Sequence, residues 1–378
     1  MSTYDVIVLG CGGFGSSCLY HLAQRGCRVL GVDRFLPGHD RGSSHGDTRI
    51  IRQAYFEHAD YVPLLRRSYE LWRELEAASG RSLLRICGLM QAGPMSGEVV
   101  PGVRKAADLY DIPVQNFSPR EAERAFPGFR FADDMEVVLE PGAGILAVEE
   151  CVRTHTQLAC EHGAQLAIGS AITDWSSNGQ SVRLTLSNGE THSAAALILT
   201  PGAWAPGLIK SSSSFPHIEV RRKVLLWNSV DPGAYSIDNN GVTFLFECPD
   251  GVFYGFPSVD GQTLKCGEHS KGNVVDDPFN VDRSLHEADI TPIAEFLTRH
   301  MPQVRSRPKR HAVCLYSMSP DGHFLVDRHP EHSNVFLGAG FSGHGFKFTS
   351  AIGEALADLA ATGNTTASID FLGIKRFD

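Results

Sequence analysis

The first residues with a readable chemistry are Gly10-Cys11-Gly12-Gly13-Phe14-Gly15, a G-x-G-x-x-G run, followed by an acid, Asp33, roughly 20 residues on. The glycines divide the work. Gly10 makes the tight turn, Gly12 lets backbone approach a pyrophosphate, and Gly15 lets helix and strand pack closely. The helix N-terminus that follows attracts the pyrophosphate charge, and Asp33 can accept hydrogen bonds from ribose hydroxyls. Arg34 hints at a 2′-phosphate, but the carboxylate before it would repel one. A dinucleotide is therefore expected, FAD and NAD both fitting and NADP disfavoured.

A second cluster, Gly42-Ser43-Ser44-His45-Gly46-Asp47-Thr48-Arg49-Ile50-Ile51-Arg52, spaces His45, Arg49 and Arg52 so that a helix would put them on one face. Its Gly and Ser content suits a site for an anionic ligand or cofactor better than a solvated basic stripe. Gly340-Phe341-Ser342-Gly343-His344 is not a hydrolase elbow, because His344 stands where G-x-S-x-G requires glycine. No C-x-x-C occurs, and His329-Pro330-Glu331-His332 is broken by proline, so no metal site is expected.

These residues need a scaffold, and 378 residues supply enough chain for two or three domains' worth of core. With 42% hydrophobic and 20% charged residues and a net charge of -9, the composition is that of a folded protein with no electrostatic pull toward nucleic acid or an anionic membrane. No apolar run reaches membrane-spanning length. The start, MSTYDVIVLG, lacks a basic segment and enters a strand, which argues against a secretory signal. Nine scattered cysteines do not form a disulfide framework, so a reduced, cytoplasmic enzyme is expected. Cys18, Cys151 and Cys160 read as small buried hydrophobes, and Cys11 as tolerated in its turn.

Hydrophobic patterning predicts strand 5–9, helix 16–24 and strand 28–32, a β-α-β unit that demands a parallel sheet and a right-handed crossover. Helices are expected at 61–78, with Leu64, Leu65, Tyr69, Leu71, Trp72 and Leu75 in one stripe, and at 148–162, 284–299 and 350–361. Residues 194–200 read as a buried strand, 211–214 as a polar loop, and 221–266 as alternating strands of a largely antiparallel sheet. The fold class expected is α/β (α+β), a nucleotide domain interrupted by a substrate domain.

Five motifs in fixed order add a resemblance. They are Gly42 to Arg52, Tyr254-Gly255-Phe256-Pro257, Lys265-Cys266-Gly267-Glu268-His269, Cys314-Leu315-Tyr316, and Gly340-Phe341-Ser342-Gly343-His344-Gly345-Phe346-Lys347. Together they closely resemble the monomeric sarcosine oxidase and N-methyltryptophan oxidase family of FAD enzymes, across essentially the whole chain. Ser44 and Gln53 depart from the pattern, since relatives commonly carry histidine at the first and often at the second. The resemblance implies a Rossmann-like FAD-binding domain, residues 1–85, 145–220 and 310–378, with an inserted substrate domain, 86–144 and 221–309.

It also implies roles. Cys314 matches the cysteine that holds the flavin covalently through an 8α-S-cysteinyl bond, chemistry suited to a thiolate. Lys265 matches the lysine that promotes reaction with O2. Arg52 and Lys347, with Gly343 beside them, match the holders of a substrate carboxylate. Tyr254, His269 and Tyr316 shape the pocket, and His45 and Arg49 lie beside the flavin ring. FAD is further contacted by Gly10, Gly12, Gly13, Phe14, Gly15, Asp33, Arg34, Ser43, Thr48, Gly202, Gly340, Gly343, His344, Gly345 and Lys347. The implied reaction is oxidative demethylation of an N-methyl amino acid, sarcosine foremost, by O2 to glycine, formaldehyde and H2O2. N-methyl-L-tryptophan or another N-alkyl amino acid is the alternative substrate. An NAD-dependent dehydrogenase would share only the first 35 or so residues. A non-catalytic FAD-binding protein is the reading from a different class. The expected partners are the small substrate and O2, with a monomeric chain.

Overall fold

The computed structural model describes residues 4–209 and 215–378; the polar loop expected at 211–214 lies outside them. The opening segment is strand Tyr4–Leu9, helix Gly13–Gln24 and strand Val29–Asp33, the crossover unit expected. Its parallel sheet runs in the order Gln165–Ile168, Val29–Asp33, Tyr4–Leu9, Thr191–Leu199, Val335–Ala339. Strand Leu325–Arg328 closes one edge antiparallel, and the hairpin Ile172–Ser177/Val182–Leu186 attaches to the start of Thr191–Leu199. The central strand is apolar and buried from Val6 to Leu9 because both its faces are covered there. Val6 and Val8 face the core shared with helices Gly13–Gln24, Val148–Glu161 and Thr349–Thr362, while Ile7 and Leu9 pack with Trp175, Leu184 and Ile374.

The second sheet is built from the chain's middle. Its order is Asn273–Val274, Glu219–Val230, Thr263–Glu268, Gly251–Gly255, Thr243–Cys248, Leu89–Pro94, Met135–Glu140, Gln115–Phe117. Every pairing along it is antiparallel except that of Thr243–Cys248 with Leu89–Pro94. Helix Glu287–His300 covers one face through Phe296, which meets Phe244, Phe246 and Phe253. The long strand Val304–Met318 pairs with Glu219–Val230 in this sheet. The expected domain boundary at 310 thus falls inside one strand, and Cys314 and Tyr316 reach inward from the second sheet.

Two local readings differ from the structure. The His45–Arg52 segment is not helical: Thr48–Ile51 is a strand paired with Gly144–Ala147. Gly46 (φ 90°) and Asp47 (φ 70°) break any helix, and Thr48, Ile50 and Ile51 are β-branched, which favours a pleated strand. Cys160, expected inside, is exposed near the end of its helix, whereas Cys18 and Cys151 are buried. Helix Tyr61–Ser79 buries the expected stripe, apart from a half-buried Tyr69, and ends on Gly80 in the left-handed conformation. Among the described residues no helix is long and apolar enough to cross a membrane.

Candidate active site

A cavity of 740 Å³ runs between the two sheets. It is lined by Gly10, Gly12, Gly13, Phe14, Asp33 and Arg34 from the first crossover unit, by Arg52, Glu57, Tyr254, His269, Tyr316 and Lys347, and by Ser43, Arg49 and Cys314. Gly202, Gly343, His344 and Gly345 also face it.

The three glycines of the first turn have three different surroundings. Gly10 is left-handed (φ 89°), and a Cβ there would meet the Thr200 carbonyl oxygen at 2.4 Å. A Cβ on Gly15 would lie 1.7 Å from the Gly10 oxygen. On Gly12 the nearest atom would be Ser44 Oγ, at 3.7 Å. Protein packing therefore demands glycine at 10 and 15 but leaves position 12 open toward the cavity, as a closely bound pyrophosphate requires. Asp33 accepts from Cys11 N–H (2.7 Å) and Phe35 N–H (2.8 Å) and tethers the turn. Burial raises its pKa, and those two donors oppose the rise. Ser44, one of the two departures, accepts from Gly13 N–H at 3.1 Å. Phe14 stacks on Phe341 with ring centroids 3.5 Å apart, clamping the late glycine turn against the first.

Arg49 donates to Ser43 O (2.8 Å) and Thr48 O (2.9 Å) and reaches Cys314 Sγ at 3.5 Å. Ser43 Oγ donates to Leu315 O at 2.5 Å, tying the loop to the cysteine strand. Lys265 is buried and donates to Gly46 O (2.8 Å) and Thr48 O (2.7 Å), with Phe256 beneath it at 3.7 Å. Burial and the nearby Arg49 push its pKa well below the ordinary lysine value. Lys265, Thr48, His45, Gly15 and Gly340 stand behind the cavity wall and do not line it. His45 is buried, its Nε2 has no hydrogen-bond partner among the described residues, and burial with Arg49 lowers its pKa to about 4. The imidazole is neutral at pH 7, so of His45 and Arg49 only the guanidinium carries charge.

Arg52 Nη2 contacts both Glu57 carboxylate oxygens, at 2.6 and 2.7 Å, and its guanidinium lies 4.0 Å over the Tyr55 ring. Burial would raise Glu57, but Arg52, His344 and Lys347 hold its pKa down to about 2. Lys347 donates to His344 O (2.7 Å); burial and Arg52 lower its pKa to about 7. His269 Nδ1 pairs with the Tyr316 hydroxyl at 3.3 Å, and burial with Lys223 lowers that histidine to about 4. Burial raises Tyr254 to about 12. The result is a pocket of neutral aromatic and imidazole groups next to two buried cations. Glu57 and Tyr55 were missed in the sequence; the signal for Glu57 was an acid five residues beyond Arg52.

Comparison with known proteins agrees with this geometry. Residues 5–359 match the family model for FAD dependent oxidoreductases. The chain is 39% identical to a monomeric sarcosine oxidase of Streptomyces avermitilis, covering 99% of this chain and 98% of the relative. It is 34% identical to an N-methyl-L-tryptophan oxidase of Yersinia pestis, covering 99% of each. Among solved structures, NikD, an amino acid oxidase of nikkomycin biosynthesis, superposes with a TM-score of 0.86 at 24% identity over 99% of this chain and 98% of its own. The open face at Gly12, the Asp33 tether and the 740 Å³ cavity that begins at them fit FAD as the cofactor. The chain belongs to the FAD-dependent oxidoreductases, in the family of monomeric sarcosine oxidases and N-methyl-L-tryptophan oxidases.

Proposed function

We propose that the enzyme oxidises an N-methyl amino acid, with sarcosine as its first substrate and N-methyl-L-tryptophan second. The observation that carries this reading is the pair of buried cations, Arg52 and Lys347, that line the same cavity as the glycine turn. An α-carboxylate is the ligand such a pair suits, by guanidinium fork and by point charge. The order of substrates is supported by relatives: four sarcosine oxidases are 36–39% identical, against 34% for the tryptophan enzyme.

When bound, FAD supplies the two-electron acceptor for the N-methyl C–H bond and the means of passing those electrons to O2. Gly10, Gly12, Gly13 and Asp33 would hold its pyrophosphate and ribose, with Arg34, Ser43, Gly202 and Gly343 to Lys347 along the remainder. Cys314, buried beside Arg49, is the residue we assign to covalent attachment at the 8α position. Arg52 and Lys347 orient the carboxylate. Tyr254, His269 and Tyr316 exclude water from the amine and, being neutral, place no negative charge of their own beside it that would favour its protonated form. The domains that meet at the cavity are assigned as 1–85, 145–220 and 310–378 for cofactor and 86–144 and 221–309 for substrate.

One preparation tests the reading. Sarcosine, N-methylalanine, N-methyltryptophan and sarcosine methyl ester are compared by kcat/KM with a peroxide readout. The free acids are expected to exceed the ester. A preference for the ester sinks the carboxylate clamp, and a large advantage for N-methyltryptophan reverses the order. In acid-denatured protein, yellow colour is expected to remain on the polypeptide and to be lost with Cys314→Ala.

A further inference from the structure

Beside the carboxylate clamp lies a short chain of hydrogen bonds that the reading above does not use. His344 Nε2 is 3.0 Å from Gly322 O, an oxygen with no hydrogen to give. Nε2 must therefore carry the ring proton, and Nδ1 is left as an acceptor. The Tyr55 hydroxyl lies 2.6 Å from that Nδ1 and donates to it. With its proton committed, the Tyr55 oxygen can only accept. Lys347 Nζ, which can only donate, is 3.5 Å away and is fixed by its 2.7 Å bond to His344 O. Tyr55 is 1% exposed, and its ring packs edge-on against Phe348 and carries Arg52 on its face, so the hydroxyl has little freedom to turn.

We propose that Tyr55 is a positioning residue for the carboxylate clamp: His344 turns its hydroxyl so that the oxygen faces Lys347 and favours the charged ammonium that receives the substrate. This rests on the assignment of Arg52 and Lys347 to the carboxylate. The other groups that act on Lys347 are Arg52 and Arg49, which oppose its charge, Glu57, which favours it, and His344 and His269, both neutral at pH 7. Burial and Arg52 bring Lys347 to about 7, so a modest loss of hydrogen-bond support is visible within an accessible pH range.

The test uses holoenzyme and propionate, a carboxylate with no amine to oxidise, with its dissociation constant measured by calorimetry across pH values of about 6 to 9. Wild-type affinity is expected to fall as pH climbs through the Lys347 midpoint. Tyr55→Phe keeps the ring and removes the oxygen. It is expected to move that midpoint down by about half to one pH unit, which is about three- to tenfold weaker binding at the alkaline end with little change at the acid end. Lys347→Arg should remove the pH dependence, and adding Tyr55→Phe to it should then shift nothing. If Tyr55→Phe does not fold, His344→Phe, which takes away the acceptor that turns the hydroxyl, is expected to move the midpoint in the same direction. Equal weakening at every pH, or an unmoved midpoint, overturns the proposal while leaving the clamp intact. A wild type whose affinity ignores pH and survives Lys347→Gln overturns the clamp itself, and the role of Tyr55 with it.

Discussion

Glu57 occupies Arg52: a single guanidinium nitrogen holds both of its carboxylate oxygens, and the pair is largely shielded from solvent, with 4% and 16% of the side chains exposed. An incoming substrate carboxylate therefore competes with a carboxylate already built into the chain. Glu57→Gln should remove the competitor and strengthen propionate or sarcosine binding, by about tenfold if the competition is worth about 1.4 kcal/mol. The same change leaves a buried guanidinium under-compensated, at a cost of about 3–5 kcal/mol. Melting with and without propionate separates the two effects. The variant should melt lower than wild type alone and regain more of that loss when the ligand is added; weaker binding of propionate would contradict the competition.

The same ion pair sets an acid limit. Glu57 titrates at about 2 in the folded chain against an ordinary value of 4.5. A depressed carboxylate contributes stability that is complete above the unfolded value and fades as pH falls toward the folded one. Between pH 4.5 and 2 the loss from this group alone is about 3 kcal/mol. The difference in stability between wild type and Glu57→Gln should accordingly shrink over that interval. A difference that stays constant with pH would show that the carboxylate's charge is not what stabilises.

What could be read in the sequence depended on how far apart the cooperating atoms were. The glycine turn was legible because the demands on Gly10 and Gly15 are made by the backbone of the turn itself and by Thr200 at the end of one neighbouring strand. The helix imagined through His45, Arg49 and Arg52 failed because spacing alone was weighed, when Gly46, Asp47 and three β-branched residues already favoured a break and a strand. The anchoring of Lys265 to Gly46 and Thr48 joins residues more than 200 positions apart, from the second sheet to the loop and strand that carry Arg49, and no local pattern could announce it. Glu57 was within reach: a buried arginine needs a counter-charge, and the nearest acid downstream provides it.

The glycines offer a cleaner separation of folding from cofactor binding. Gly12→Ala adds a Cβ whose nearest protein atom would be 3.7 Å away, so the chain should fold with nearly its normal melting temperature and lose bound flavin. Gly15→Ala drives a Cβ to 1.7 Å from the Gly10 oxygen, so the helix cannot dock and little folded protein should accumulate. Flavin absorbance per mole of folded chain, measured beside the melting curve, checks both. Full flavin content in Gly12→Ala would show that the pyrophosphate does not approach this turn.

Lys265 combines a structural role with a chemical one, and the two can be told apart. Its ammonium satisfies the carbonyls of Gly46 and Thr48, so Lys265→Met leaves two acceptors without their partner, a cost of about 1–3 kcal/mol for each. That loss appears in the melting temperature whatever the chemistry. If the ammonium also stabilises charge developing on oxygen, a cation at about 4 Å in an effective dielectric of about 20 contributes about 4 kcal/mol, or about a thousandfold in rate. Burial and Arg49 depress its pKa, so the charged form is lost as pH rises through the folded value. Wild-type reaction with O2 after anaerobic reduction by substrate should consequently slow as pH rises, and Lys265→Met should be slow at every pH. The anaerobic reduction step should change much less. Stopped-flow reoxidation over a pH series makes the comparison: equal oxygen reactivity in the two proteins would reduce Lys265 to an anchor for the loop that carries Arg49.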